Sequence, residues 1–250
     1  MIDIRLFGRT RVQTPHRVLE FTDFGGAKPR HILEILCLRG GGPVATPALA
    51  DLLWEGRPPR SWPATMYSYV ALLRRVLQPG IPGRHTVVRT TEAGYRLDPR
   101  GVEVDLHRFD RLVDEAGGSP PAIALPLWQQ ACGLAARDLL EHESGVSWAV
   151  RARAEHRARV VDAALAGART ALDLGVPLVA ADLARRATLA DPQNEEGWQV
   201  LIEGLGRAGR HLDAARACRH RLREAGTEPD AHTLRSAVLA AGPQQAGRDR

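Results

Sequence analysis

Residues 61–77 read SWPATMYSYVALLRRVL, and their types and spacing suit contact with a polyanion. Met66, Val70, Leu73 and Leu77 recur at steps of four, three and four, which is the spacing of one buried helical stripe. Opposite that stripe stand Ala64, Ser68, Ala71, Leu72 and Arg75, flanked by Thr65, Tyr67, Tyr69 and Arg74. None of these is acidic. Short hydroxyl and aromatic side chains on a helix can reach base edges and thymine methyls in the major groove of DNA. Arginine in the last turn can neutralise phosphate and suits the negative end of the helix dipole. An Asp or Glu on that face would repel phosphates, so an acid-free outer face is what DNA contact requires. The expected readers are Thr65, Ser68, Tyr69, Leu72 and Arg75, with Arg74 beside them.

The charge distribution agrees. Residues 1–97 hold 14 Lys and Arg against 7 Asp and Glu, whereas residues 98–250 hold 20 against 22. A basic first part on a near-neutral remainder points to an anionic partner for that first part, with nucleic acid leading. Lys28 is the single lysine among the basic residues. That reflects codon bias and does not account for the one-sided excess.

Other chemistries find little support. Cys37, Cys132 and Cys218 are far apart with no CxxC spacing, which argues against disulfides and a zinc site. The glycine runs at 25–26 and 40–42 lack the GxxxxGK[ST] spacing of a phosphate loop. The nine histidines form no HExxH, and there is no GxSxG. No catalytic residue, metal or cofactor is expected. No segment approaches the roughly 18 apolar residues of a membrane span. The N-terminus, MIDIRLFGRT, lacks a signal-peptide pattern, so the expected location is the cytoplasm, with the nucleoid.

The elements that must position the reader helix follow from periodicity. IDIRLFG (2–8) and RVLEFTDF (17–24) alternate as strands of a small antiparallel sheet. Helical spacing then covers 28–40, 45–56, with Pro47 at the first helical position, and 61–77. VVRTT and YRL, around Glu92-Ala93-Gly94, form a hairpin signal. After Asp98-Pro99-Arg100-Gly101 the texture turns Ala- and Leu-rich. Helical segments are expected at 105–116, 122–140, 148–174, 177–190, 195–208, 211–225 and 230–240. Setting Trp198 as the repeat tryptophan aligns Leu201, Leu205 and Ala214 with a 34-residue helix-pair pattern. One period earlier, Ala168, Ala180, Ala187 and Pro192 fall on pattern too, although Cys218 and Arg221 do not. The expected fold is an α+β N-terminal winged helix-turn-helix, comprising a small antiparallel sheet, three helices and a β-hairpin wing. An all-α tetratricopeptide-like helical domain follows it. The boundaries are 1–98, 102–240 and a disordered tail at 241–250.

Three stretches carry a family resemblance: LLWEGRPPRSWPATMYSYVALLRRVL, VVRTTEAGYRL and VDLHRFDRLVDEA. The Leu53-Trp54 pair before the Gly56-x-Pro58-Pro59 turn, the Leu73–Leu77 helix end, Gly94-Tyr95 and Asp105–Phe109 together resemble the Streptomyces antibiotic regulatory protein family. The resemblance runs from residue 1 to about 240. It implies an OmpR-type winged helix joined to an all-α bacterial transcriptional activation domain. It also implies an activator that binds double-stranded DNA at direct repeats near promoters of antibiotic biosynthetic clusters, self-associates there and contacts RNA polymerase. Leu72 stands where the family usually has a basic residue. Thr91 stands where it usually has Arg in the wing, and Arg89, two residues away on the same strand face, can take over that role. Arg30 and Arg57 are further candidates for phosphate contact. The rival expectation is a protein–protein adaptor that uses the helical repeats, with a degenerate winged helix and Leu72 and Thr91 as its support.

Overall fold

The computed structural model describes residues 1–224, apart from the side chain of Arg84. The helix expected at 230–240 and the tail at 241–250 lie outside the described residues. Two compact units divide the chain. The first comprises Met1–Asp110 and Leu134–Glu155; the second comprises Arg111–Gly133 and the chain from His156 onward.

In the first unit, β1 (Ile2–Arg5), β2 (Arg11–Gln13), β3 (Val18–Leu19) and β6 (Val102–Val104) form one sheet in the order β3-β2-β1-β6. The β1–β2 and β2–β3 pairs are antiparallel, and β1–β6 is parallel, with Ile2 opposite Val102 and Ile4 opposite Val104. Alternation works as expected: Ile2 and Ile4 are buried and Arg5 is exposed. The expected strand at 17–24 shrinks to β3 because Phe21–Phe24 winds into a 3-10 turn that buries Phe24.

Three helices follow: α1 (Ala27–Leu38), α2 (Thr46–Trp54) and α3 (Trp62–Leu77). Pro47 sits in the first turn of α2, and left-handed backbone at Glu55 (φ 51) and Gly56 (φ 78) ends it. The wing hairpin is β4 (Val88–Thr91) against β5 (Gly94–Leu97). Ile32, Leu36, Leu49, Leu53, Met66 and Leu73 are almost fully buried in one core with the sheet.

The first unit does not end at residue 98. Strand β6 completes the N-terminal sheet, and Ile2 N–H donates to Gly101 C=O at 3.0 Å. The Asp105 carboxylate, at the start of α4 (Asp105–Gly117), accepts the N–H groups of Leu6 at 2.9 Å and Phe7 at 3.1 Å. His107 Nε2 lies 2.6 Å from the Cys37 carbonyl, and the Phe109 ring meets Phe7 edge-on. The Asp-Leu-His-x-Phe motif is therefore an anchor onto the sheet. The segment expected to finish a helix at 140 leaves α5 (Pro121–Leu134) early and pairs with β1's exit instead, through Gly8 N–H to Asp138 C=O and Leu140 N–H to Leu6 C=O, both at 2.8 Å.

The second unit holds most of α4, α5, the larger part of α6 (Ser147–Asp173), α7 (Pro177–Ala190), α8 (Glu195–Arg207) and α9 (His211–Glu224). Ala168, Ala180, Ala187 and Ala214 are fully buried, as close helix pairs demand. A Cβ added at Gly204 would stand 3.0 Å from the Pro177 carbonyl oxygen, which shows how near α8 lies to α7. Trp198 donates its indole N–H to Pro192 C=O at 2.9 Å and meets His220 edge-on. Among the described residues no helix is long and apolar enough to cross a membrane.

Candidate nucleic-acid interface

Helix α3 buries Met66, Val70, Leu73, Val76 and Leu77, as its spacing predicts. Its exposed stripe is Ala64, Tyr67, Ser68, Ala71 and Arg75, neighbours at three- and four-residue steps along about 17 Å of helix. Ser68 and Arg75 thus lie on the open face, and Arg75 has no ion partner among the described residues. Thr65 is half-buried. Its hydroxyl and that of Ser68 donate to the carbonyls one turn back, Ser61 at 3.1 Å and Ala64 at 3.0 Å, so each presents its oxygen as an acceptor. Ser61 holds the cap position without making a capping bond.

Two expected readers stand differently. Tyr69 is half-buried and stacks on Trp54 with centroids 6.4 Å apart. Leu72 is half-buried and packs against the core beside the 3-10 turn, where a Cβ at Gly25 would lie 3.0 Å from its Cδ2. These two flank the stripe rather than occupy it. Tyr67, 69% exposed, is the aromatic residue on the open face. Sequence reasoning had it on a flank, although its position three after Ala64 and four before Ala71 was a signal for the outer face.

Arg74 turns toward the wing. Its Nε donates to Val88 C=O at 2.9 Å and its Nη2 to the Thr90 hydroxyl at 2.7 Å. Burial lowers the guanidinium's pKa from its ordinary value, partly offset by Tyr95 and Tyr67. Arg74 is a brace between reader helix and hairpin, which corrects its expected place as an open contact.

The wing's own register sorts its side chains. Val88, Tyr95 and Leu97 are buried, so Arg89, Thr91, Arg96 and Asp98 share the other face. Arg89 stands directly opposite Arg96. Like charges so paired repel, and the Asp98 carboxylate relieves this by accepting from Arg89 Nε and Nη2, each at 3.2 Å. The Arg100 N–H first, then Arg89, hold the Asp98 carboxyl below the usual carboxylate range despite some desolvation. Thr91 donates its hydroxyl to Gly94 C=O at 3.2 Å. Arg96 was missed in the sequence; the pairing partner of Arg89 becomes visible once the two-residue turn at Glu92-Ala93 sets the register. Gly94, at φ 128, is required because a Cβ there would stand 2.1 Å from the Val44 carbonyl oxygen. That approach lets Val44 bridge Tyr95 through bonds of 2.7 and 3.0 Å.

Arg57 and Arg60 are exposed in the turn leading into α3. Arg30 is the clear correction. It is 1% exposed in α1, and its guanidinium lies 3.6 Å over the Phe21 ring. It pairs with Glu34 at 3.3 Å and with Glu143. No phosphate can reach it. Burial alone would raise the Glu143 carboxyl, but the Arg30 hydrogen bond and the charges around it hold it below the usual range. His31, Glu34 and Glu143 place ligand-type atoms within 4.8 Å of one another, a donor set for a divalent cation. The Arg30 guanidinium already pairs with both carboxylates and offsets one of their two charges, so a divalent cation would turn the cluster's net charge positive inside the core.

The arrangement is one open, acid-free helix face with Arg57 and Arg60 at its entry and Arg75 near its end. A wing carrying Arg89 and Arg96 is braced to the same helix by Arg74. No family model matches the chain. The chain is 30% identical to the regulatory protein DnrI of Streptomyces peucetius over 239 residues, covering 86% of this chain and 85% of DnrI. It is 35% identical over 85 residues to the transcriptional regulatory protein EmbR of Mycobacterium tuberculosis, which is 34% of this chain and 22% of EmbR. The solved structure of M. tuberculosis EmbR in complex with a low-affinity phosphopeptide superposes with a TM-score of 0.71 at 25% identity, over 98% of this chain and 66% of that one. These relatives are regulators, not enzymes. The winged helix with its helical partner, and a similarity to DnrI along most of both chains, make this chain a member of the Streptomyces antibiotic regulatory protein family.

Proposed function

We propose that the protein is a transcriptional activator of an antibiotic biosynthetic gene cluster, and that it reads DNA with the exposed stripe of α3. The observation that carries this is the stripe itself: Tyr67, Ser68, Ala71 and Arg75, with no acid on it and exposed arginines before it in the chain. In this reading Ser68 and Tyr67 meet base edges, and Ala71 leaves room for a thymine methyl. Thr65 contributes from the flank, and Tyr69 and Leu72 set the helix's tilt more than they read bases. Arg57, Arg60 and Arg75 hold phosphates. Arg89, Thr91 and Arg96 approach the backbone from the wing. Arg74 keeps wing and helix in one geometry. The family resemblance supports binding to direct repeats near the promoter with self-association there, and contact of the helical unit with RNA polymerase. It also supports a place in the cytoplasm, on the nucleoid.

Footprinting across the promoters beside the gene tests the reading. A protected direct repeat whose affinity falls steeply with salt is expected, each phosphate contact adding about −0.9 to the log–log slope. The half-buried Leu72 and the turned-in Thr91 are what favour the adaptor reading, and that reading predicts no salt-sensitive binding at any of these sites.

A further inference from the structure

A cavity of about 810 Å³ opens in the first unit on the far strands of its sheet, lined by none of the residues of α3 or of the wing. Arg5, Arg9, Arg11 and Arg137 surround it, with Glu20 as the acid in its lining. Arg11 lies 4.0 Å from Glu20, Arg5 3.5 Å from Asp3, and Arg137 2.5 Å from Glu141. Arg9 is exposed and has no ion partner among the described residues. The cavity therefore keeps a positive excess.

Its apolar part is aromatic. Phe21 is 52% exposed, yet its ring is held in place, with the buried Arg30 guanidinium against it and the His142 ring edge-on at 5.9 Å. Phe7 lines the cavity as well and is fixed by its edge contact with Phe109. At the bottom stand Thr10 and His142. The Thr10 hydroxyl donates to Glu34 at 2.6 Å and keeps its own oxygen as an acceptor. His142 has a side chain only 8% exposed, and its Nε2 faces Glu34 at 3.3 Å and Glu143 at 3.4 Å. Its Nδ1 is buried and finds no hydrogen-bond partner in the chain. A buried polar atom left in that state is costly.

We infer that this cavity is a binding site for a small organic anion carrying an aromatic ring, its acid group held by Arg9 and Arg11, its ring against Phe21, and a polar substituent directed at the lining residues Thr10 and His142. The volume is that of a small-molecule site. Arginine forks suit carboxylate or sulfonate. Duplex DNA would meet the exposed arginines but offers no free ring to Phe21 inside a concave cavity. Through Thr10 and His142 the occupant would touch the Glu34–Arg30–Glu143 cluster that joins α1 to the segment after α5.

The test uses the full chain and 8-anilinonaphthalene-1-sulfonate as probe, with 2-naphthoate and inorganic phosphate as competitors. Saturable one-to-one binding is expected, displaced by naphthoate and not by equal phosphate. Arg9→Glu should weaken it about tenfold, the loss of one charge-assisted contact. Phe21→Ala should weaken it too, and Arg219→Ala, at an exposed position of α9, should leave it unchanged. Because Arg9 is exposed and unpaired, its replacement leaves the fold intact even if Phe21→Ala does not. Unchanged affinity in Arg9→Glu, displacement by phosphate as readily as by naphthoate, or non-saturating binding would overturn the site.

Discussion

The guanidinium of Arg74, on α3, donates to the hydroxyl of Thr90, on the wing, at 2.7 Å, and to the neighbouring Val88 carbonyl at 2.9 Å. A planar fork spanning two acceptors fixes an angle as well as a distance. Beside the Val44–Tyr95 bridge and the Val87 N–H to Gln78 bond of 2.6 Å, this fork helps set the orientation of the wing relative to α3, and it uses a side chain that the sequence alone assigns to DNA.

Replacing Arg74 by Ala removes both bonds and should cost about 1–2 kcal/mol of stability. DNA affinity should fall as well, because the wing loses its set angle. Arg74→Lys, with a single point-like ammonium, should restore only part of either. Urea midpoints and binding isotherms on the same variants check this. A full rescue by Lys would show that charge, and not the fork, is what matters.

Arg75 behaves in the opposite way. It is exposed and unpaired, so Arg75→Ala should leave the melting midpoint unchanged within about 0.5 kcal/mol. The salt dependence of DNA binding should flatten by about 0.9 in its log–log slope. Mobility shifts at four or five salt concentrations supply that slope. An unchanged slope would remove Arg75 from the phosphate contacts.

Arg30, in contrast, should matter for folding. Arg30→Met strips the counter-charge from Glu34 and Glu143 inside the core, and breaking a buried pair this way costs about 3–5 kcal/mol. The triple replacement of Arg30, Glu34 and Glu143 by apolar residues of similar volume should recover most of that loss. Denaturation curves for the single and triple variants decide it.

Acid stability should depend on His156, which lies in α6 and is 6% exposed. Burial, with the nearby Arg159, lowers its pKa to about 4. The unfolded chain restores the ordinary value of about 6.5, so between these values the unfolded state binds the extra proton. Stability is full above pH 6.5 and is lost as pH falls toward 4, by at most about 3 kcal/mol from this group. His156→Gln should flatten that part of the pH–stability curve. A slope unchanged by the replacement would assign the acid sensitivity elsewhere.

Much of the fold was legible because its signals are local. The buried stripe of α3, the hairpin around Gly94, the helix bounds 177–190 and, each to within one residue, the start of α2 beside Pro47 and the helix expected at 195–208 all follow from spacing and turn chemistry. The strand β6, the return of residues 134–155 to the first unit and the short β2 were not legible. The first two depend on partners far away in sequence, as in Ile2 with Val102 or Leu6 with Leu140, and β2, three residues long, is too short to show a period. The candidate interface divides in the same way. That α3 has an acid-free outer face is a property of residue order. Which side chains remain free on it is not.

By itself the sequence pointed to an anionic partner and singled out the helix proposed to meet it. A 3.6-residue period and the absence of Asp and Glu from 61–77 hold whatever packs around them. Tertiary structure decided which arginine does what. Arg30, Arg74 and Arg75 are alike in composition and charge. One is enclosed by Glu34 and Glu143, one is drawn to the Val88 carbonyl and Thr90, and one is left in solvent. A guanidinium's role is set by the acceptors within about 3 Å of it, and all of these but Glu34 come from residues 14 to 113 positions away in the chain.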